Sequence, residues 1–590
     1  MDKNTIIAIV LSTIVIIAGF TLQAKFFPPE TPQTTSQAAL PAAATPSTTN
    51  IVNSQSDIQT AAVVPVTPAG LIQEQDSLAE EFSVIETKLI QVKFTNRGGD
   101  ILSYVLKGKT DKQTSIEMAE FVTENNRAFS LAFGDNTGTT INQLFKVKKI
   151  SDTAIGFYRS FTVQNKDGTQ STFTLAKQYT FQPDDYMFEL KVIVDGDSTF
   201  NGLQIGQASY TLKTAPQIGP SWSGKQDAYE YRKFFYLTDG KKKNITLKEA
   251  QTKLITDKTT WTGVAGKYFT IIALPEMPVQ SVDFSTMSPD ATTSAAQILL
   301  TRGPISGKSS TDIWRFYIGP RTEKELNKYN IGNNNPFNLN DTKLDQIVES
   351  SGILGPLEFV LKWLMEFFYV IIPNWGVSII ILTFLMRAIL FPLTKKSSEA
   401  TLKMQELQPK IQEIQAKYKD NTAKMNEEMA KFYKTAGYNP LSGCLPLLIQ
   451  FPLIFAMYNL FNNYFEFRGA MFIPGWIPDL SKGDSIMHLG LIVPFVGWSL
   501  SELRLLPIIY VISQLLYGKV TQTPGSAQQN SSMKFMMYGM PLIFFFIFYD
   551  APAGLLIYWI FSNVLTLGQQ VIINKIMHKK KESNLKLVKK

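Results

Sequence analysis

The run Ile381–Thr394, ILTFLMRAILFPLT, holds one permanent cation, Arg387, in an otherwise apolar stretch. Arg387 stands twelve residues after Trp375 and eight before Lys395. Along a helix rising 1.5 Å per residue, that is about 18 Å from one boundary and about 12 Å from the other. A lone charge at such depth costs about 2.5 to 3.5 kcal/mol on insertion scales, and a long side chain recovers part of this by snorkelling to the nearer interface. Other polar groups recur at similar depth. Thr383 precedes Arg387 by four residues, on the same helix face, and Gln450 interrupts the apolar run Leu441–Phe461. Tyr510, Ser513, Gln514 and Tyr517 form one helical stripe, and Trp559, Asn563, Thr566 and Gln570 another. Singly, each amide or hydroxyl reads as a helix-to-helix hydrogen bond. Together with an arginine, the set reads as a hydrophilic cavity inside a membrane.

Covalent and metal chemistry find little support. The 590 residues include one cysteine, Cys444, and two histidines, His488 and His578. That excludes an intramolecular disulfide and a two-cysteine redox centre, and leaves little for metal ligation or general-base catalysis. GPISGKSS (303–310) has only three residues between Gly303 and Gly307, one fewer than a phosphate-cradling loop requires, and reads as a turn. No nucleotide and no cofactor is expected. The net charge of +8 comes from lysines clustered beside apolar runs, where membrane topology explains them without nucleic acid.

The elements that must hold these residues divide the chain in two. Residues 1–24, with Lys3 ahead of the apolar run Ile6–Phe20, read as an uncleaved transmembrane anchor. Residues 25–80, rich in Pro, Thr, Ser, Ala and Gln, read as a flexible linker. Residues 81–345 contain many short runs such as KLIQVKFTN, FTLAKQYTF and YMFELKVIV, and predict a large antiparallel β-sandwich. That region has no histidine, which rules out a Ser/His/Asp triad within it. In residues 351–371, Glu358, Lys362 and Glu366 recur every fourth position among Trp363, Phe367 and other apolar residues, predicting an amphipathic helix in the membrane interface.

Spans are then predicted at Trp375–Leu393, Leu441–Phe461, Leu505–Val520, Phe535–Tyr549 and Gly554–Ile573, within a region 373–573. With the anchor they make six. Residues 395–437 read as an antiparallel helical hairpin, with Pro409 a kink or a restart. Nine lysines lie between Lys395 and Lys434 and seven in the basic tail 574–590, so the hairpin and both termini are expected in the cytoplasm and the β domain outside it, in the periplasm of a double-membrane bacterium. The apolar piece Ile486–Trp498 is long enough to suggest a seventh span, but Pro494, Gly497 and the lysine parity favour a re-entrant or interfacial segment.

NWGVSIIILTFLMRAILFPLTKKSSEATLKMQELQPKIQ (374–412), NPLSGCLPLLIQFPLIFAMYNLF (439–461) and APAGLLIYWIFSNVLTLGQQ (551–570) closely resemble the YidC family of membrane protein insertases. FTNRGGDI, QYTFQPDDYMFEL and YIGP resemble, more loosely, the outer domain of its Gram-negative-type members. The resemblance implies a polytopic α-helical membrane protein with a five-helix insertase core and a large periplasmic β domain similar to sugar-mutarotase sandwiches. In that core a hydrophilic groove opens to cytoplasm and lipid. Arg387 matches the groove arginine, and Thr383 and Gln450 match groove-lining positions. Tyr558 and Trp559 fall where the family has two tyrosines, so the second hydroxyl is absent here. Gln514 and Asn563 join the groove set from their stripes. The resemblance further implies an inner-membrane insertase and chaperone, not an enzyme. Its expected partners are nascent membrane proteins, Sec translocase components, membrane lipids and the ribosome, the last met by Lys579, Lys580 and Lys581. A solute transporter or channel with a periplasmic binding domain is the alternative; it predicts paired broken helices related by a repeat, and the sequence has no such repeat.

Overall fold

The computed structural model describes residues 71–72, 78–108, 115–164, 169–222, 230–288, 294–349, 352–438, 445–493, 498–521 and 538–588. The expected anchor and nearly all of the expected linker lie outside them.

Alternation of apolar and polar residues builds the β region. In Met187–Gly196, Phe188, Leu190, Val192 and Val194 are buried while Lys191 and Asp195 turn outward. The strand lies near the middle of a ten-stranded antiparallel sheet, between Gln170–Phe181 and Ser309–Pro320. Ser309–Pro320 also pairs with Phe269–Pro275, which continues through Thr259–Ala265 to Lys233–Thr238. The last long strand therefore joins the two halves of the domain. A five-stranded sheet (Thr252–Ile255, Ser281–Met287, Ala295–Arg302, Tyr210–Lys213, Ser130–Phe133) and a four-stranded one starting at Phe82–Glu86 complete it. Phe188 is the hub of an aromatic core, stacked on Phe181 at 5.0 Å and on Phe316 at 5.6 Å.

One charged cluster is sealed inside. In FTNRGGDI, Gly98 and Gly99 adopt φ of +67° and +62°, and a Cβ on Gly99 would stand 2.7 Å from Phe157. This turn directs Asp100 inward, where Lys177 and Arg127 converge on it, Arg127 Nε at 2.9 Å. Lys177 also donates to the carbonyls of Phe129 (2.7 Å) and Gly98 (3.1 Å), and Arg127 to Ile141 (3.0 Å) and Asn142 (2.8 Å). Burial pushes the Lys177 ammonium below the usual lysine range, with Asp100 opposing.

The helical part begins after α1 (Glu323–Asn327), capped by Thr322. The helix α2 (Gly355–Ile371) carries the charged stripe seen in the sequence. The next helix, α3 (Trp375–Lys417), capped by the Asn374 side chain, runs unbroken through Pro392 and Pro409, so no restart occurs at Pro409. It is followed by α4 (Thr422–Thr435), capped by Asn421; Lys403 of α3 donates to the Gly437 carbonyl just beyond α4 at 3.1 Å. Then come α5 (Leu445–Asn463), α6 (Leu506–Thr521), α7 (Met540–Ile547) and α8 (Ala553–Val588). Among the described residues, two stretches, Trp375–Ala400 and Ala553–Ile573, are long and apolar enough to cross a membrane.

Two features differ from a simple reading of the sequence. The stripe Glu358/Lys362/Glu366 on α2 does not stand free: Glu358 accepts from Asn459 at 3.2 Å, Glu366 from the Tyr464 hydroxyl at 2.8 Å, and Lys362 lies over the Tyr464 ring at 5.4 Å. Phe359, Trp363, Phe367, Val370 and Ile371 form the exposed side instead. The polar end of α5 takes the charges, leaving an aromatic face suited to lipid headgroups and upper acyl chains. The apolar segment 486–498 is not a helical span. Met487–Val493 pairs antiparallel with Trp498–Leu503, while Pro494 and Gly497 lie outside the described residues.

Candidate functional site

Arg387 lies on α3, half-buried, and its guanidinium meets α8 through one small residue. Nε donates to Ser562 Oγ at 3.1 Å, and Nη2 reaches the same oxygen. Tyr558, which is buried, and Tyr517 are near enough to the guanidinium to interact with it electrostatically. Two turns further along α8, Gln569 Nε2 donates to the Arg387 carbonyl at 3.1 Å, and Ser398 donates to Gln570 at 3.0 Å. Among the described residues no carboxylate lies within ion-pair distance of Arg387.

A second polar knot joins α8 to α6. Asn563 Nδ2 donates to Ser513 Oγ at 3.0 Å and to Gln514 Oε1 at 2.9 Å. Above it Trp559 packs on Tyr510 at 5.4 Å and edge-on to Phe548 at 4.6 Å. The residues of α8 thus serve two faces: Tyr558, Ser562 and Gln569 turn to α3, while Trp559 and Asn563 turn to α6. Reading Trp559/Asn563/Thr566/Gln570 as a single stripe merged these two. Ser562 and Gln569 were missed because a serine in an apolar run carries little signal by itself; the four-residue step Tyr558–Ser562–Thr566 was the available one.

The remaining expected site residues behave differently. Thr383 is buried, and its hydroxyl donates to the Ile379 carbonyl of its own helix at 2.7 Å, so it is not joined to Arg387 by a hydrogen bond. The backbone of Gln450 belongs to α5 and those of Lys579, Lys580 and Lys581 to α8, but their side chains lie outside what the structure describes. No group of His, Cys, Asp and Glu suited to a metal ion occurs among the described residues.

Chemically, the site is a cation with a hydroxyl for a partner. A guanidinium has five N–H donors; Ser562 engages two of its nitrogens. The others can bind water or an anionic group, and nothing in the arrangement suggests bond making or breaking.

Residues 367–581 match a family described as "60Kd inner membrane protein", and residues 83–349 one described as "YidC periplasmic domain". A "Membrane protein insertase YidC" of Treponema denticola is 51% identical over 592 residues, covering 98% of this chain and 100% of the relative. The chain belongs to the YidC family of membrane protein insertases. A YidC of Treponema pallidum is 43% identical over 625 residues, with 98% and 100% covered. A crystal structure titled as an active YidC insertase with its first transmembrane domain resolved aligns at 17% identity and a TM-score of 0.34, over 85% of this chain and 93% of that one. In this YidC-family chain the β region therefore corresponds to the family's periplasmic domain and the helical region to its inner-membrane part.

Proposed function

We propose that this chain is an inner-membrane insertase and chaperone that takes up nascent membrane proteins through a polar groove around Arg387. The observation that carries the reading is the half-buried arginine bonded to a serine hydroxyl and to no carboxylate of a described residue. A charge so held keeps donors available for a guest. An incoming segment would have its polar flank hydrated there, with Arg387 drawing an acidic side chain across. The apolar segment then leaves sideways into lipid. Burial at about 25 cal/mol per Å² supplies the driving force, so no nucleotide is needed.

The finer assignment follows the lysines and the family. Six spans, a cytoplasmic hairpin at 395–437, both termini in the cytoplasm and the β domain in the periplasm are our proposal, as are the boundaries 1–24, 25–80, 81–345, 351–371, 373–573 and 574–590. Thr383, Gln450, Gln514, Tyr558, Trp559 and Asn563 are proposed to line or brace the groove beside Arg387. The ribosome (through Lys579–Lys581), Sec translocase components and membrane lipids are the proposed partners. The aromatic outer face of α2 supports lipid contact.

The test is reconstitution of the purified chain in liposomes with a short one- or two-span client. Protease-protected, correctly oriented client is the expected result. Solute flux without insertion would overturn it.

A further inference from the structure

Two adjacent side chains at the C-terminal end of α5 belong to different hydrophobic cores. Tyr464 turns into the helical core, its ring 5.4 Å from Trp375 and its hydroxyl on Glu366. Phe465, only 6% exposed, turns into the β domain and is counted in that domain's core. It meets Tyr268 and Phe269 edge-on, at 6.2 and 5.7 Å. Around it, the Tyr268 hydroxyl reaches the Asn462 carbonyl at 3.4 Å, and the Arg468 guanidinium lies over the Phe269 ring at 5.1 Å. Arg468 also feels a carboxylate from each side, Asp479 of its own loop and Glu230 of the β domain.

The socket is firm. Tyr268 and Phe269 close the tight turn between Thr259–Ala265 and Phe269–Pro275, where Gly266 N–H donates to the Phe269 carbonyl at 2.9 Å. The Tyr268 carbonyl accepts from Arg321 N–H at 2.8 Å, and the Arg321 side chain holds the Ile347 carbonyl just ahead of α2. Four residues before Phe465, on α5 itself, Phe461 packs on Tyr558 at 5.9 Å, and Tyr558 is near enough to Arg387 to interact with it electrostatically. The short chain segment from Phe461 to Phe465 therefore ties the ring cluster of the β domain to the rings on the groove side of the helical core.

We infer that the β domain is a strut for the insertase core: by gripping Phe465 it fixes the end of α5, and through Phe461 and Tyr558 it sets the position of Arg387. Packed aromatic groups transmit displacement because close-packed contacts resist compression. A role in catalysed chemistry is not required of the domain. This inference rests on the groove reading of Arg387, and the experiment separates the two.

Full-length chain in proteoliposomes is compared with Phe465→Ala, Phe465→Leu and Arg468→Gln. Spin labels at exposed Ser306 and Lys482, in a Cys444→Ser background, report the distance between the β domain and the helical part. Wild type should give one narrow distance and insert client. Phe465→Ala should broaden the distribution and slow insertion about fivefold, with Arg468→Gln intermediate and Phe465→Leu close to wild type. The thermal transition of the β domain should stay in place, which separates loss of grip from unfolding. An unchanged distance in Phe465→Ala, or a broadened one with unaltered insertion, overturns the strut. Failure of wild type to insert overturns the groove reading itself, whatever the distances show.

Discussion

The protein buries cations in two ways. In the β domain, Lys177 and Arg127 share Asp100, and the carbonyls of Gly98, Phe129 and Ile141 take up further donors, so the cluster is closed upon itself. In the helical part, Arg387 has the Ser562 hydroxyl and neighbouring tyrosine rings, and among the described residues no counter-ion. The first sets two cations on one carboxylate and spends their remaining donors on carbonyls, whereas the second sets a guanidinium on a neutral hydroxyl with no carboxylate of a described residue beside it. A compensated charge belongs to architecture; an uncompensated one is a place for something to arrive.

The contrast breaks most visibly at Asp100. Asp100→Ala strands two buried cations and should destabilise the β domain by about 3 to 5 kcal/mol, measured as thermal unfolding in the full-length chain. A loss below about 1 kcal/mol would mean that water already reaches the cluster. Arg387→Ala should do the reverse, sparing the fold and lowering insertion. Clients with an acidic translocated segment should lose about tenfold, the worth of one charged hydrogen bond, neutral ones less, and Arg387→Lys should be milder. Equal losses for both clients would leave hydration, and not attraction, as the role of the charge. Ser562→Ala removes only the hydroxyl that orients the guanidinium. A two- to threefold loss, about 0.5 kcal/mol, is expected in the same assay, with Ser562→Thr restoring it.

The smallest effect tests whether the β domain tolerates any unpaired charge. Glu120 accepts from Ser221 at 3.1 Å, but its Oε2 is buried without a hydrogen bond. Burial raises its pKa, against the pull of Ser221 and Arg232. Because the folded value lies above the unfolded one, its contribution is fully present below the unfolded value and is lost as pH rises through the folded value. Melting curves from about pH 4 upward should show that slope, small because the side chain is only partly buried, and Glu120→Gln should remove it. Identical slopes in both proteins would mean the carboxyl is effectively solvated.

Much of this was legible in the sequence for local reasons. Period-two alternation marks strands such as Met187–Gly196 wherever they pair, and Arg387 announces itself because nothing else in its run is charged. Long-range pairing was not legible: that Ser309–Pro320 lies between Met187–Gly196 and Phe269–Pro275 depends on contacts 114 to 130 residues apart on one side and 39 to 51 on the other. The site shows the same division. Trp559 and Asn563 were found through helical spacing, yet which of two neighbouring helices each residue of α8 faces depends on a rotation of about 100° per residue that spacing alone leaves free. Phe465 gave no signal, being one aromatic among forty phenylalanines.

The two prolines inside α3 carry a mechanical consequence. Pro392 and Pro409 each lack an N–H, which removes one rung of the helical ladder at each position. The seventeen residues from one to the other form a rod about 26 Å long between two compliant joints. Arg387 sits five residues before the first joint, and the segment after α4 is tied back onto the rod itself by the Lys403–Gly437 bond. A helix jointed in this way bends more readily at Pro392 than between the two prolines, so its far end can shift while the end that carries Arg387 stays still.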